Sequence, residues 1–131
     1  MKITRACDYA MRALLSMAEK PKGTVFMRSE LSKISNVPDS FLGKIMQNLA
    51  KSGILISERG KKGGFRLEKD PDEVNMYDVI TSIEGDIEIT DCIADNGYCE
   101  KAPYCNVHQV WCSIQSNLTK QLSGITLKDL L

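Results

Sequence analysis

The chain has 131 residues, which is enough for one hydrophobic core and too little for a multidomain enzyme. Its net charge of zero hides an asymmetry: residues 1–69 contain 14 Lys and Arg against 6 Asp and Glu, whereas residues 70–131 contain 3 against 11. This predicts a polyanion-binding domain over residues 1–70 and a segment with a different task over residues 71–131. No signal segment and no apolar run of about 18 residues occurs, so we expect a cytoplasmic protein with no membrane partner.

Three amphipathic helices are predicted in the first part of the chain. Thr4 suits the N-cap of the first helix, because a side-chain oxygen at that position accepts a backbone N–H. The second helix is expected over about residues 27–35 with Ile34 facing the core, and the third runs from Pro38 to Gly53. The short break between the second and third helices gives the spacing of a helix-turn-helix.

A glycine-rich, basic turn follows the third helix. Residues 54–57 and 65–67 are rich in β-prone side chains, and residues 58–64 between them include three glycines. This pattern predicts a β-hairpin, the wing. The expected fold class is therefore mainly α with a small β-hairpin wing, which together form a winged helix-turn-helix.

The polar residues of this predicted fold include candidates for DNA contact. In a helix-turn-helix, the polar residues at the start of the second helix of the motif face base edges in the major groove. Ser40 and Lys44 hold such positions here, and Gly43 leaves the surface between them open. In the wing, Arg59 is the expected groove-inserting residue. The further candidates for DNA contact are Arg28, Lys61 and Lys62.

The acidic segment is predicted to contain a short helix, a polar loop and one long helix. The short helix starts near Met76 and ends at Gly85. From about Cys105 onward, apolar side chains recur at alternating steps of four and three, which indicates a heptad-like seam. The seam predicts a dimerisation helix, and a two-fold dimer suits two half-sites one DNA turn apart. The seam consists of Val107, Trp111, Ile114, Leu118 and Gln121 or Leu122.

Four of the five cysteines lie in the acidic segment, close to the one histidine of the chain. In a cytosolic protein such a group is more often metal-binding or redox-active than a disulfide framework. The spacing is Cys92-x6-Cys99-x5-Cys105-x2-His108, and three thiolates with one imidazole suit a tetrahedral iron or zinc site. The Cys-x2-Cys pairs typical of closed zinc sites do not occur in this loop.

Two other interpretations remain open at this point. One is a regulator without metal, in which Cys92, Cys99 or Cys105 oxidises to a disulfide or a sulfenic acid. The other is a small redox or cluster-carrier enzyme, which is weakened by the absence of a Cys-x2-Cys redox pair and of a Walker loop. Cys7 and Cys112 do not fit the ligand spacing, and Cys112 is expected near the dimer seam.

A recognisable pattern in this chain consists of Phe41-Leu42, Leu49, Gly53, Ser57, Arg59-Gly60 and Gly63-Gly64-Phe65-Arg66-Leu67. With a likeness that extends along most of the chain, it resembles the IscR-like family of winged-helix iron–sulfur and redox transcription regulators. The resemblance implies a homodimer, joined through the long helix, that binds double-stranded DNA at a palindromic operator. It implies a regulator and not an enzyme. We expect this regulator to act as a repressor. One departure is Gly43, because IscR has at this position a glutamate that is used in sequence discrimination.

The resemblance also implies a cofactor. Cys92, Cys99, Cys105 and His108 match the ligands of an IscR-like 2Fe–2S cluster, whereas CymR-type members lack the cysteine group. NsrR-like members complete a 4Fe–4S cluster with an aspartate from the partner's first helix, at the position of Asp8. We favour a 2Fe–2S cluster with His108, because imidazole is a softer ligand than carboxylate.

Overall fold

The computed structural model describes residues 2–59, 63–93 and 99–131. It confirms a mainly helical fold with a small antiparallel hairpin, as the sequence predicts. In the described ranges no helix is long and apolar enough to span a membrane. The elements in chain order are α1 (Arg5–Ala18), α2 (Arg28–Ser35), α3 (Asp39–Lys51), β1 (Leu55–Glu58), β2 (Gly64–Leu67), α4 (Met76–Glu84) and α5 (Asn106–Ser123).

Helix α1 forms the centre of the predicted DNA-binding part, residues 1–70. Thr4 is its N-cap, as predicted, and the Thr4 side chain accepts the backbone N–H of Cys7 at 3.3 Å. The inward face contains small residues, so that α2 and α3 can approach α1 closely. Together these helices bury one apolar cluster, which we call the main core. Its members on α1 are Ala10, Ala13, Leu14 and Met17.

The turn between α2 and α3 is fixed by its own backbone. Asn36 adopts a left-handed conformation with φ of 54°, which ends α2. The Ser32 hydroxyl donates to the Val37 carbonyl at 2.7 Å, and the Val37 side chain lies in the main core. The expectation that Ile34 faces the core is wrong, because its side chain is 51% exposed. On this short helix Ser35 takes the inward position instead, since its hydroxyl donates to the Leu31 carbonyl.

The wing is attached to the segment before α2 by an antiparallel backbone bridge between Phe65 and Phe26. Leu55 pairs with Leu67 and Ser57 with Phe65 in the antiparallel hairpin. Phe65 also exchanges two backbone hydrogen bonds, of 2.8 and 2.9 Å, with Phe26, which precedes α2. A Cβ at Gly64 would lie 2.3 Å from the Phe26 carbonyl oxygen, so this approach requires glycine. The base of the wing is therefore held in a fixed position beside α2.

Helix α4 joins the two parts of the chain. Val79 packs into the main core, whereas Ile80 forms a second core with Cys7 and Ile87. The end of the chain returns to the same place, because Leu127 is fully buried in the main core and its N–H donates to the Val74 carbonyl at 2.9 Å. Residues beyond position 70 thus complete the core of the DNA-binding part, and the division at residue 70 stays a prediction.

Helix α5 contains no fully buried residue. The C-terminal part of the predicted seam packs within the chain, because Leu118 and Leu122 contact the second core. The large apolar side chains nearer the start of the helix are 37% to 57% exposed. The structure therefore divides the predicted seam along the length of α5 into a packed C-terminal part and an exposed N-terminal part, which we call the α5 stripe. The α5 stripe consists of Val107, Val110, Trp111 and Ile114.

Candidate functional site

The polar face of α3 opens onto two grooves. Ser40 and Lys44 are exposed and line a groove whose other wall includes Ile83 and Glu84 of α4. Gln47 and Gly43 line the opposite groove, which is bounded by the start of α2 and by the wing. The predicted contacts of Ser40 and Lys44 with DNA stay predictions, and the structure shows that they lie on the α4 side of the helix.

Arg28 lies in the groove between α2, α3 and the wing. Its Nε donates to the Asp39 carboxylate at 3.1 Å, and the two side chains are 55% and 51% exposed. The guanidinium lies over Gly43, where an added Cβ would be 3.1 Å from Nη1. The surface that sequence analysis left open at Gly43 is thus covered by an arginine from another helix.

The two arginines of the wing differ in their contacts and exposure. Arg66 donates to Glu58 at 2.5 Å and to Glu68 at 3.2 Å, and the contact with Glu58 raises the pKa of the Arg66 guanidinium. Arg59 is exposed directly after β1. The predicted contacts Lys61 and Lys62 lie outside the described residues. Arg66 therefore stabilises the hairpin, whereas Arg59 is available at the start of the wing turn.

Two of the predicted metal ligands are in direct contact. The Cys92 Sγ lies 3.4 Å from His108 Nδ1 and 3.1 Å from the Thr90 hydroxyl. Cys92 belongs to a short turn before the loop, and His108 lies in the first turn of α5. A thiolate and an imidazole nitrogen at this separation are placed as adjacent ligands of one metal atom, given bond lengths of about 2.3 and 2.1 Å.

The other two predicted cysteines are arranged differently. Cys105 is the N-cap of α5, and its Sγ accepts the backbone N–H of His108 at 3.4 Å. Cys99 is half-buried, and its carbonyl accepts the Ala102 N–H at 3.1 Å. Among the described residues, three potential donor atoms lie within 4.8 Å of one another at Asp70, Asp72 and Glu73, and not among the cysteines and His108. The structure thus brings Cys92 and His108 together but does not gather Cys99 and Cys105 around them.

Asp8, the alternative ligand, lies on the exposed side of α1. Its carboxylate forms an ion pair with Arg12 at 3.1 Å, one helical turn further on. Its predicted role as a ligand requires a partner protomer, so that role stays a prediction.

Two residues beside this site were not predicted to belong to it. The Cys112 Sγ lies 3.5 Å from His108 Nε2, so both ring nitrogens of the histidine face a thiol. The spacing of four residues on one helix was a usable signal. Gln115 accepts the Ile89 N–H at 3.0 Å, and its amide donates to the Ile87 carbonyl. Gln115 therefore holds the segment before Cys92 against α5, and nothing in the sequence indicated this.

A winged helix-turn-helix with a basic DNA-binding part and an acidic cysteine-containing segment defines a class of DNA-binding transcription regulator. The family model for Rrf2, described as an iron-dependent transcriptional regulator, matches residues 3–131. The chain belongs to the Rrf2 family, whose members are regulators and not enzymes. This confirms the resemblance and leaves no support for the carrier-enzyme interpretation.

Solved structures of regulators share this fold. CymR (YrzC), the global cysteine regulator of B. subtilis, is 25% identical, with a TM-score of 0.77 over 99% of this chain and 95% of that one. The oxidised form of CymR from Staphylococcus aureus is 24% identical, with a TM-score of 0.71 over 99% of this chain and 95% of that one. IscR from T. potens is 21% identical, with a TM-score of 0.71 over 99% and 85%. At such identities the last two show the fold alone.

Proposed function

We propose that this regulator senses iron–sulfur or redox status through a 2Fe–2S cluster bound by Cys92, Cys99, Cys105 and His108, and that it represses transcription from a palindromic operator. The observation that carries the proposal is the 3.4 Å contact between Cys92 Sγ and His108 Nδ1. It joins the turn after α4 to the first turn of α5, which are 16 residues apart in sequence.

The donor set fits such a cluster chemically. Thiolates and imidazole are the ligands that iron–sulfur centres use. A two-iron cluster spreads its four ligands over two metal atoms, so it does not require all of them to be in mutual contact. A single tetrahedral zinc ion does require that, and the described donors do not meet the condition. His108 is preferred over Asp8 as the fourth ligand because Asp8 is already paired with Arg12.

Bound in this place, the cluster would supply an electron-accepting group that is lost or altered under oxidising conditions. Residues of the chain itself connect the site to the DNA-binding part. Gln115 fixes the segment that leads to Cys92, and Leu118 packs on the second core beside α4. Helix α4 reaches the end of the recognition helix, where Ser82 donates to the Ser52 hydroxyl at 2.8 Å. A change in the loop is thereby transmitted to α3 through α4.

The α5 stripe supports the proposed homodimer. Four large apolar side chains lie exposed along two turns of one helix, which is typical of a surface that a second protein covers. A second copy of this chain is the proposed occupant, because a two-fold dimer would present two recognition helices to one face of DNA.

The decisive experiment combines composition with DNA binding. Anaerobically purified protein should be brown and contain about two iron and two sulfide per chain, and Cys92→Ser, Cys99→Ser or Cys105→Ser should each lower this content. Cys7→Ala is the matched control, because Cys7 is buried in the second core. Operator affinity should then differ between cluster-loaded and apo protein at fixed salt. Iron-free anaerobic protein, or equal affinities for every operator tried, would contradict the proposal.

A thiol switch without metal is the second candidate, and the position of His108 between two thiols favours it. The Cys92 Sγ lies in contact with an imidazole nitrogen, and the thiolate form of a cysteine is the one that peroxide attacks. Peroxide would oxidise that thiolate to a sulfenic acid, and a second cysteine would condense with it to give a disulfide and water. Colourless anaerobic protein whose operator affinity changes with peroxide, and recovers with dithiothreitol, would support this candidate over the cluster.

A further inference from the structure

We infer that Arg28 reads a base in the major groove, at the place on the recognition helix that Gly43 leaves without a side chain. An added Cβ at Gly43 would lie 3.1 Å from Arg28 Nη1, so the guanidinium rests on the surface of α3 itself. Gly43 is one turn into this helix, where base-contacting side chains of helix-turn-helix proteins are found. The chain thus supplies from α2 a long polar side chain that α3 lacks at this position.

Asp39 holds the guanidinium in place. Its carboxylate accepts a hydrogen bond from Arg28 Nε at 3.1 Å, and Arg28 Nη1 lies over Gly43. These two contacts fix the plane of the guanidinium group. A guanidinium whose orientation is already fixed loses less conformational entropy when it binds. Arginine donates in pairs to O6 and N7 of guanine, and this is the commonest specific contact in the major groove. Guanine is therefore the base that this arrangement fits.

The groove around Arg28 has two walls. Gln47 of α3 lies on one wall and Gly64 of the wing on the other. A side chain at this place lies between α3, which is expected in the major groove of DNA, and the wing, whose Arg59 is the expected groove-inserting residue. Arg28 is thus a specificity determinant that lies outside the recognition helix.

The charge of the Arg28–Asp39 pair favours contact with a base over contact with a phosphate. The carboxylate of Asp39 neutralises Arg28 and also repels phosphate, so the pair adds little to the sequence-independent attraction of DNA. A guanidinium that is paired through Nε still has N–H groups to donate to a base edge. The Arg28–Asp39 pair therefore favours discrimination over non-specific affinity.

The test is selection of binding sites from a library of random duplexes, followed by affinity measurement at several salt concentrations. It rests on DNA binding alone and does not depend on the proposed cluster, so the apo chain is usable. Arg28→Ala should lose its preference for guanine at one position of the selected site, with affinity for the best site reduced roughly tenfold and the salt dependence unchanged. Arg28→Lys should not restore the preference, because an ammonium group lacks the planar pair of N–H donors that a guanidinium offers to one base.

Two further variants and one control complete the test. Asp39→Asn should keep or raise affinity for random DNA while discrimination at the same position weakens. Gly43→Ala, which crowds the guanidinium, should reduce that discrimination as well. Lys33→Ala removes an exposed cation from the same helix and should leave the selected site unchanged. A uniform loss of affinity in Arg28→Ala with a shallower salt dependence would identify a phosphate contact and overturn the inference, and so would an unchanged selected site.

Discussion

The DNA-binding part and helix α5 bury their apolar residues to very different extents. Helices α1 and α3 each have at least four fully buried side chains, whereas α5, although it is longer, has none. The DNA-binding part is thus stabilised by the main core, which Val74, Val79 and Leu127 complete. The long helix packs on the second core through Leu118 and Leu122 in its C-terminal part, and the α5 stripe nearer its start is exposed. The helix-turn-helix and the base of the wing are therefore packed within the single chain, whereas the start of α5 presents an uncovered apolar surface.

The largest effect is expected within the main core. Leu49→Ala should lower the free energy of unfolding by about 3 kcal/mol, because it leaves a cavity beside fully buried neighbours. Ile34→Ala is the matched control at a 51% exposed position, and it should change stability by less than about 0.5 kcal/mol. Denaturant unfolding followed by circular dichroism measures both. Similar losses in the two variants would mean that α2 is packed against something that the single chain does not include.

The next effect concerns the α5 stripe. Ile114→Glu should weaken dimerisation by about 2 kcal/mol, roughly thirtyfold, because it places a charge at the centre of the proposed interface. Analytical ultracentrifugation over a range of concentrations would measure this change. Ser116→Glu introduces the same charge at an exposed position on the other side of α5 and should leave the dimer intact. A wild-type chain that sediments as a monomer at every concentration would contradict the proposed dimer.

A smaller effect is expected from Gln115. Gln115→Ala should speed alkylation of Cys92 in the apo protein several-fold, because the Ile87 and Ile89 backbone groups lose their attachment to α5. Cysteine-resolved mass spectrometry gives the rates. Gln109→Ala, at an exposed position on the same helix, serves as control. An unchanged rate at Cys92 would show that the segment is held by other contacts.

The smallest effect is expected at Cys7. Burial raises the pKa of the Cys7 thiol, so at pH 8 the thiol stays protonated and is a poor nucleophile. In native apo protein Cys7 should therefore be alkylated more slowly than the exposed Cys112. Unfolding in denaturant should remove the difference between them. Equal rates in the native protein would indicate that the α1–α4 contact opens readily.

The order of helices and the position of the wing follow from the sequence alone. The cap at Thr4, the break at Asn36 and the glycines of the wing are local signals, because each depends on the backbone preferences of a few consecutive residues. The group of cysteines with one histidine is also a local signal, because soft donors at short spacing already indicate their chemistry.

Contacts between side chains of different elements depend on how the helices and strands pack. Arg28 and Gly43 lie on different helices, and Gln115 is 26 residues from Ile89, so no periodicity relates them. The division of the α5 face has the same origin, since a heptad pattern shows that a surface is apolar but not which part the chain itself covers. That choice depends on where α4 and the returning C-terminal residues pack, which is a long-range property of the fold.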